Sequence, residues 1–194
     1  LNEKAKEKAR DWYREHAFED EWWRYEYDEF VSICQILGIE LDYSMVQLVG
    51  GNTRQDPCIY FRGFSSQGDG ASFTGNYSYA KGSAKKIREY APQDKELHRI
   101  ANELFAIQKR HAYQLTAKIT ADGHYCHEYS MQVEDDGSAH DHEELLDLFR
   151  SLARWLYRTL ENDYDYRSSG DAVGESIEAN DYEFYANGKF VDAE

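Results

Sequence analysis

The chain has 194 residues, of which 41% are hydrophobic and 15% aromatic, and its formal net charge is −15. The aromatic content excludes a disordered acidic chain, and the length fits one domain with a substantial core. No apolar run approaches the roughly 20 residues that a membrane span needs, so we expect no membrane partner.

The cysteines indicate a reducing compartment. Cys34, Cys58 and Cys126 lie far apart and form no Cys-x-x-Cys pair. Such a sparse, odd set is typical of intracellular proteins, so we expect a cytoplasmic protein without a disulfide framework. No signal peptide is recognisable, and because the chain opens at Leu1 rather than at a methionine, we expect residues to precede it.

Two helices are predicted at the start of the chain, over residues 2–17 and 20–37. In the second helix Trp22, Trp23 and Tyr25 cannot all face inward, so some aromatic rings should be exposed among carboxylates. Exposed aromatic patches rimmed by charge favour protein contacts. This stretch is therefore a candidate contact surface, although packing against a neighbouring helix explains it equally well.

Strand and helix patterns then follow in blocks. Alternation with a period of two predicts strands at 39–49, 58–64 and 71–79, with the loop GGNTRQDP after the first of them. Helical spacing predicts helices at 83–90 and 94–111, the second capped by Asp94.

The last third of the chain contains two predicted hairpins and two predicted helices. LTAKITA and HYCHEYSMQV flank Asp122–Gly123, which is the strongest short hairpin signal in the chain. A long helix is predicted over 141–163, with Asp141 and Glu144 as its capping box. A weaker helix at 171–179 and a hairpin over Asn187–Gly188 complete the chain.

These blocks predict an α+β fold, with an antiparallel sheet of about five to seven strands and helices packed on one face. We expect a single domain over residues 1–194, with the acidic C-terminal helix and hairpin at 141–192 packed on it.

The acidic residues are concentrated near the C-terminus. Residues 134–194 contain 17 acidic and 5 basic residues, whereas residues 46–133 contain 8 acidic and 11 basic ones. An acidic surface keeps proteins soluble, and this end also fits a basic partner surface in place of nucleic-acid phosphates. The candidate carboxylates are those of Asp135, Asp136, Asp163 and Asp165.

Direct binding of nucleic acid is the weaker interpretation of this charge pattern. It would use basic residues of the middle segment, namely Lys81, Lys85, Lys86, Arg88, Arg99, Lys109 and Arg110. Repulsion between phosphates and the negative chain opposes it, and the same residues can instead pair with the acidic end. We therefore expect no nucleic-acid partner.

The segment FSSQGDGASF has the composition of a phosphate-binding or catalytic loop. Phosphate loops work where backbone N–H groups converge at a helix start, but this segment lies between two predicted strands. That context favours a hairpin turn. A ligand or catalytic site formed by Ser65, Ser66, Gln67 and Asp69 is the alternative.

No catalytic residue, metal site or cofactor is predicted. On a strand, His124 and Cys126 share one face while His127 takes the other, so one metal would draw only two ligands from this stretch. The consecutive residues 140–142, His-Asp-His, diverge on a helix. Acidic pairs are expected by chance in so acidic a chain, so none can be nominated as acid or base.

Five segments of the chain resemble a protein family carried by bacteriophages and prophages. They are KAKEKARDWYRE, EWWRYEYDEF, CIYFRGFSSQGDGASFTGNYSYAKGS, IREYAPQDKELHRIANELFAIQKRH and GHYCHEYSMQVE. The resemblance covers roughly residues 3–133 and, more thinly, the helix and hairpin from 143 to 191, and Arg62 stands where the family has a small residue. Its members are labelled phage hypothetical proteins or, loosely, antitoxin of a toxin–antitoxin stability system. The resemblance implies a binding protein in the cytoplasm of the host cell and supplies no catalytic residue.

Two functional hypotheses follow. The first is an antitoxin-like, non-enzymatic acidic protein that blocks a basic host protein, either a toxin or an anti-phage defence factor, by mimicking nucleic-acid charge. The second is a small enzyme, or a nucleotide-binding or ligand-binding protein, with its site at the loop Ser65–Gly70.

Overall fold

The computed structural model describes residues 1–18, 21–122, 125–135 and 137–191. Its helices are α1 (Glu3–His16), α2 (Arg24–Leu37), α3 (Ser83–Tyr90), α4 (Lys95–Arg110), α5 (Ala139–Ser168) and α6 (Gly170–Ala179). Its strands are β1 (Ile39–Leu41), β2 (Tyr43–Gln47), β3 (Thr53–Pro57), β4 (Ile59–Arg62), β5 (Gly70–Phe73), β6 (Gly75–Tyr77), β7 (Ala117–Ala121) and β8 (Met131–Asp135). The α+β class predicted from the sequence is confirmed.

The chain divides into two compact units. The terminal unit contains residues 1–24 and 160–194, and the central unit contains residues 25–159. Helix α5 contributes to both units. The expected single domain over 1–194, with 141–192 packed on it, stays a prediction.

The strands of the central unit divide among three antiparallel sheets rather than forming one sheet of five to seven strands. The largest sheet has the order β1-β6-β7-β8, while β2 pairs with β3 and β4 pairs with β5. The division arises at Asp42, whose N–H donates to the Thr74 carbonyl at 3.0 Å while its own carbonyl accepts from the Cys58 N–H at 2.7 Å. The predicted strands 39–49 and 71–79 therefore each become two strands with different partners.

The segment GGNTRQDP was predicted as a loop, but its second half is strand β3. Gly50 and Gly51 have φ angles of +110° and +88°. The Leu48 N–H donates to the Asn52 carbonyl at 2.8 Å, which closes a three-residue turn, residues 49–51, between β2 and β3. Positive φ at both glycines of this turn reverses the chain direction, so a paired strand follows directly.

The hairpin predicted around Asp122–Gly123 has its first strand as expected, but its second strand begins only at Met131, near the end of HYCHEYSMQV, so the connection is longer. Strands β7 and β8 pair from Ala117↔Asp135 to Ala121↔Met131. The connection contains a short 3-10 helix at Glu128–Ser130, so Cys126 and His127 lie outside both strands and the predicted strand faces do not apply to them. Gly123 and His124 lie outside the described residues.

The core of the central unit lies between the helices and the largest sheet. Leu97, Ile100, Leu104 and Ile107 of α4 are buried. Phe149 of α5 is also buried and contacts Tyr77 of β6 with ring centroids 5.4 Å apart. The predicted cap of α4 is also confirmed, because the Asp94 side chain accepts from the Leu97 N–H at 2.9 Å. In the described residues, no helix combines the length and apolar character needed to cross a membrane.

Helix α5 begins two residues earlier than predicted and extends five residues further. Its first turn is closed by Ser138, whose hydroxyl accepts from the Asp141 N–H at 3.3 Å, while the Asp141 carboxylate accepts from the Ser138 N–H at 3.3 Å. The predicted capping box, with Asp141 as the cap and Glu144 as its partner, is therefore wrong. Asp141 is the third residue of the helix, and its carboxylate accepts the reciprocal hydrogen bond from the capping residue Ser138.

The terminal unit is built from α1, α6 and a hairpin near the C-terminus. Its centre is Trp12, which stacks on Phe190 with centroids 3.8 Å apart and meets Phe184 edge-on at 5.5 Å. The hairpin predicted over Asn187–Gly188 is confirmed by the Tyr185 N–H, which donates to the Lys189 carbonyl at 2.9 Å. Gly188 has a φ of +77° and lies directly against the Ala5 carbonyl of α1, which leaves no space for a Cβ atom.

Candidate functional site

Two of the predicted contact residues, Trp22 and Asp163, line one cavity of about 430 Å³ in the terminal unit. We call this cavity the terminal pocket. Besides Trp22, its aromatic walls are Tyr13, Phe18 and Tyr166. Its polar groups are Asp163, Arg167, Glu175 and Ser176, with Ala172 and Ala179 as small neighbours.

Helical spacing brings the polar groups to the terminal pocket. On α5, Tyr166 and Arg167 lie three and four residues after Asp163, so both lie on the same side of the helix as Asp163. On α6, residues 172, 175, 176 and 179 share a face in the same way. Helix α6 starts immediately after α5 because the Ser169 hydroxyl caps it, accepting from the Ala172 N–H at 3.3 Å.

The aromatic walls are held by further ring contacts. Trp22 is only 8% exposed, and its ring lies 5.4 Å from Tyr164, which in turn lies 5.7 Å from Phe18. Tyr166 is 68% exposed and forms the outer rim. The structure therefore provides a fixed aromatic base with one accessible ring at the rim.

The other two predicted aromatic residues do not line the terminal pocket. Trp23 meets Trp22 edge-on with centroids 5.9 Å apart. Tyr25 belongs to the central unit and is 63% exposed. Of the predicted aromatic contact residues, Trp22 alone is a wall of this cavity.

The terminal pocket carries a net negative charge. The Asp163 carboxylate accepts from the Arg167 Nε at 2.7 Å, so these two charges offset each other. Glu175 is exposed and makes no ion pair with any described residue. A cationic group entering the cavity would therefore meet an available carboxylate beside aromatic faces.

Unpaired carboxylates are also frequent from the end of α5 through α6 and the segment after it. Among the described residues, the exposed acidic side chains without an ion pair in this stretch are Asp165, Asp171, Glu175, Glu178, Asp181 and Glu183. The terminal unit as a whole contains 17 acidic and 8 basic residues, a net charge of −9, whereas the larger central unit has −6. The negative charge is thus densest in the terminal unit.

Three acidic residues before α5 and in its first turns, Asp135, Asp141 and Glu144, are engaged within the molecule. The Asp135 side chain is 1% exposed, lies 2.8 Å from His142 Nδ1 and accepts from the Gly137 N–H at 2.8 Å. Asp135 is therefore not accessible to a partner. Asp136, also predicted as a contact residue, lies outside the described residues.

Asp141 and Glu144 are also engaged within the molecule. Both contact the Arg110 guanidinium, and Asp141 lies 3.1 Å from His111 Nε2. Hydrogen bonds from Ser138 and Arg110 hold the pKa of Asp141 well below its usual range. The expectation that residues 134–194 form one available acidic surface is therefore wrong for Asp135, Asp141 and Glu144.

Several basic residues of the middle segment form contacts inside the central unit. Arg99 pairs with Glu96 at 2.8 Å and with Glu103 at 2.7 Å, and Arg88 donates to Asn102 Oδ1 at 2.8 Å. Lys85 lies 3.6 Å from Glu89. These contacts, with those of Arg110, reduce the positive charge available for phosphates.

The loop Ser65–Gly70 connects β4 and β5 as a hydrogen-bonded turn. One oxygen of the Asp69 carboxylate accepts from the Ser65 N–H at 2.9 Å and from the Ser66 N–H at 2.6 Å. Gly68 has a φ of +93°, which a side chain would disfavour. The Asp69 carboxylate closes the turn, while Ser65, Ser66 and Gln67 are exposed.

The histidine and cysteine residues offer no metal centre in the described ranges, where no three potential ligands gather. His127 caps the 3-10 helix by accepting from the Tyr129 N–H at 3.3 Å. Partial burial raises the pKa of the Cys126 thiol. A thiol with a raised pKa is a poor nucleophile and a poor metal ligand at neutral pH, because both roles need the thiolate.

The sequence interpretation missed most of the terminal pocket. Tyr13, Phe18, Tyr166 and Glu175 were not singled out, although the spacing of residues on α5 and α6 contained a usable signal. The long helix was predicted to end at residue 163. The prediction therefore did not place Tyr166 on the helix face that it shares with Asp163.

Comparison with known proteins yields one match. A family described as "Domain of unknown function (DUF8835)" matches residues 22–170. The match covers the whole central unit and ends at the start of α6, before Glu175 and the terminal hairpin. No curated protein and no solved structure matches the chain.

Proposed function

The chain belongs to the DUF8835 family, a domain of unknown function, and we propose that it is a non-enzymatic protein that binds a basic protein surface through its terminal unit. The observation that supports this proposal is the set of exposed, unpaired carboxylates on and after α6. Carboxylates already paired within the molecule gain little from a new cation, whereas unpaired ones remain available to it.

Exposed negative charge affects which partners the protein recognises and how fast it associates with them. An acidic surface attracts a basic one over about a Debye length, which is roughly 8 Å at physiological salt. Such steering raises the association rate and disfavours acidic partners. Binding should therefore weaken as salt is added.

For the partner we propose a host protein that normally binds nucleic acid, such as a toxin or an anti-phage defence factor. The resemblance of residues 3–133 to prophage proteins supports a host partner. Dense negative charge supports a basic, phosphate-binding surface on that partner, because such a surface accepts carboxylates in place of phosphates.

A pull-down from bacterial lysate tests the proposal, with the partner then purified and its affinity measured at low and high salt. We expect capture of a nucleic-acid-binding protein at low salt and release at high salt. Affinity should fall in a variant that neutralises four unpaired acids of the terminal unit, Asp171→Asn, Glu178→Gln, Asp181→Asn and Glu183→Gln.

The matched control changes the net charge equally in the central unit. It neutralises four exposed acids there, Glu40→Gln, Glu134→Gln, Glu143→Gln and Asp147→Asn. Equal loss of affinity in both variants would show that overall charge, rather than the terminal unit, drives binding. Binding that high salt does not weaken would contradict the proposal.

A further inference from the structure

We propose that the terminal pocket receives an arginine side chain of the partner. This inference rests on the proposed function and adds to it one specific contact inside an otherwise diffuse charge attraction. The observation that motivates it is the convergence of aromatic walls and an unpaired carboxylate in one cavity.

The aromatic walls favour a planar cation. A guanidinium group stacks on aromatic faces and is more weakly hydrated than an ammonium group, so it loses less on leaving water. Trp22 supplies a nearly buried wall, and Tyr166 supplies an exposed ring that can cover an entering side chain. A lysine ammonium is compact and strongly hydrated, and it would gain less from these walls.

The polar groups of the pocket also favour arginine over lysine. Glu175 has a carboxylate that can accept two parallel N–H bonds from a guanidinium, a geometry that an ammonium cannot match. The Arg167 charge does not block entry, because Asp163 holds its Nε at 2.7 Å. The net charge of these three groups is negative before the ligand enters.

The dimensions of the pocket agree with a side-chain ligand. Its volume of about 430 Å³ lies within the range of roughly 300–1,000 Å³ that is usual for ligand cavities. The exposed carboxylates Asp171 and Glu178 lie on α6, four residues before and three residues after Glu175, and would hold the neighbouring basic residues of the partner. The pocket thus provides selectivity for arginine, and the acidic surface provides the long-range attraction.

Two fluorescent peptides test the proposal on the full chain. Both have the same length and the same positive charge, one carrying arginine and the other lysine at every charged position. Fluorescence anisotropy at low salt gives the two dissociation constants. We expect the arginine peptide to bind about tenfold more tightly, as a desolvated cation–π contact with a bidentate carboxylate would produce.

Variants at the pocket identify where the preference arises. Tyr166→Ala and Glu175→Gln change exposed positions, so both proteins should fold, and each should reduce the arginine preference to less than threefold. Tyr185→Ala and Glu15→Gln are the matched controls, since both are exposed, belong to the terminal unit and do not line the pocket. The controls should keep the preference.

The outcomes separate the two proposals. If both peptides bind with equal affinity and salt weakens both, the pocket proposal is overturned and the charge-driven function stands. If neither peptide binds at low salt, both proposals are overturned. A preference that survives both pocket variants would also overturn the assignment to this cavity.

Discussion

Single residues decide which negative charges are available outside the molecule. Asp135 and Asp171 are identical in the sequence as carboxylates, yet the Asp135 side chain is buried against His142 and Asp171 is exposed without an ion pair. Composition counts charges but cannot assign their partners, because the partners come from distant positions. Arg110, which contacts Asp141 and Glu144, is 31 residues from Asp141 in the chain.

Replacing Asp141 with asparagine should lower the free energy of unfolding by about 2 kcal/mol at neutral pH, the usual value for hydrogen bonds to a charged group. The folded pKa of Asp141 lies below the unfolded value of about 3.9. Its stabilisation is therefore complete above about pH 5 and is lost as pH falls through the folded pKa. Urea unfolding of both proteins from neutral to acidic pH measures this.

The control is Asp147→Asn, on the same helix at an exposed position without an ion pair among the described residues. It should change stability by less than about 0.5 kcal/mol at every pH. If the Asp141→Asn difference stayed constant down to about pH 2, the carboxylate charge would not be its cause.

Helices defined by local spacing were predicted well, whereas the pairing of the strands in the central unit was not. The spacing of apolar residues placed α1, α3 and α4 within about two residues, because a helix forms its hydrogen bonds within itself. Strands 39–49 and 71–79 changed partner at Asp42 and Thr74, which alternation cannot reveal. Strand β3 was missed although Gly50–Gly51 is a recognisable hairpin turn.

Gly188→Ala should release the terminal hairpin from α1. Gly188 needs a positive φ, and a Cβ atom there would collide with the Ala5 carbonyl oxygen. The backbone conformation alone costs about 1–2 kcal/mol for a residue with a Cβ atom, and the collision adds to it. Hydrogen exchange should show faster exchange of the Gly188 and Lys189 region in the variant.

Gly51→Ala provides the comparison for that variant. Gly51 has a φ of +88°, but a Cβ atom there would meet no atom within 4 Å. It should therefore produce only the conformational cost, seen as modestly faster exchange of the Leu48 amide. Equal effects from the two substitutions would show that the contact between Gly188 and Ala5 contributes nothing.

At the scale of the whole molecule, the two units differ in net charge and in the segments of the chain that form them. The central unit is one continuous segment with a net charge of −6, and the terminal unit combines both ends of the chain with −9. The sequence showed the acidic end but not its division, because Asp135, Asp141 and Glu144 are engaged by His142, His111 and Arg110 in the central unit. Trp22 and Asp163 were both predicted, yet only the fold shows that they share a cavity.

The fragment 25–159 should fold alone, because it contains its own sheet and helices with a buried core. We expect a single cooperative transition in urea followed by circular dichroism, with an m-value in proportion to its size. The fragment should bind the arginine peptide much more weakly than the full chain, since it lacks α6 and the terminal pocket. A fragment without a cooperative transition would contradict this division into folding units.

The origin of the terminal pocket in two distant segments has a consequence for protein synthesis. Glu175 and Ser176 emerge from the ribosome long after Trp22, which at 5–20 residues per second is a delay of roughly 8–30 s. Throughout that interval the nascent chain can complete its central sheet, yet it displays no arginine-binding cavity. A partner that needs the cavity therefore encounters it only on chains whose translation has passed α6, so premature termination would yield folded but inert product.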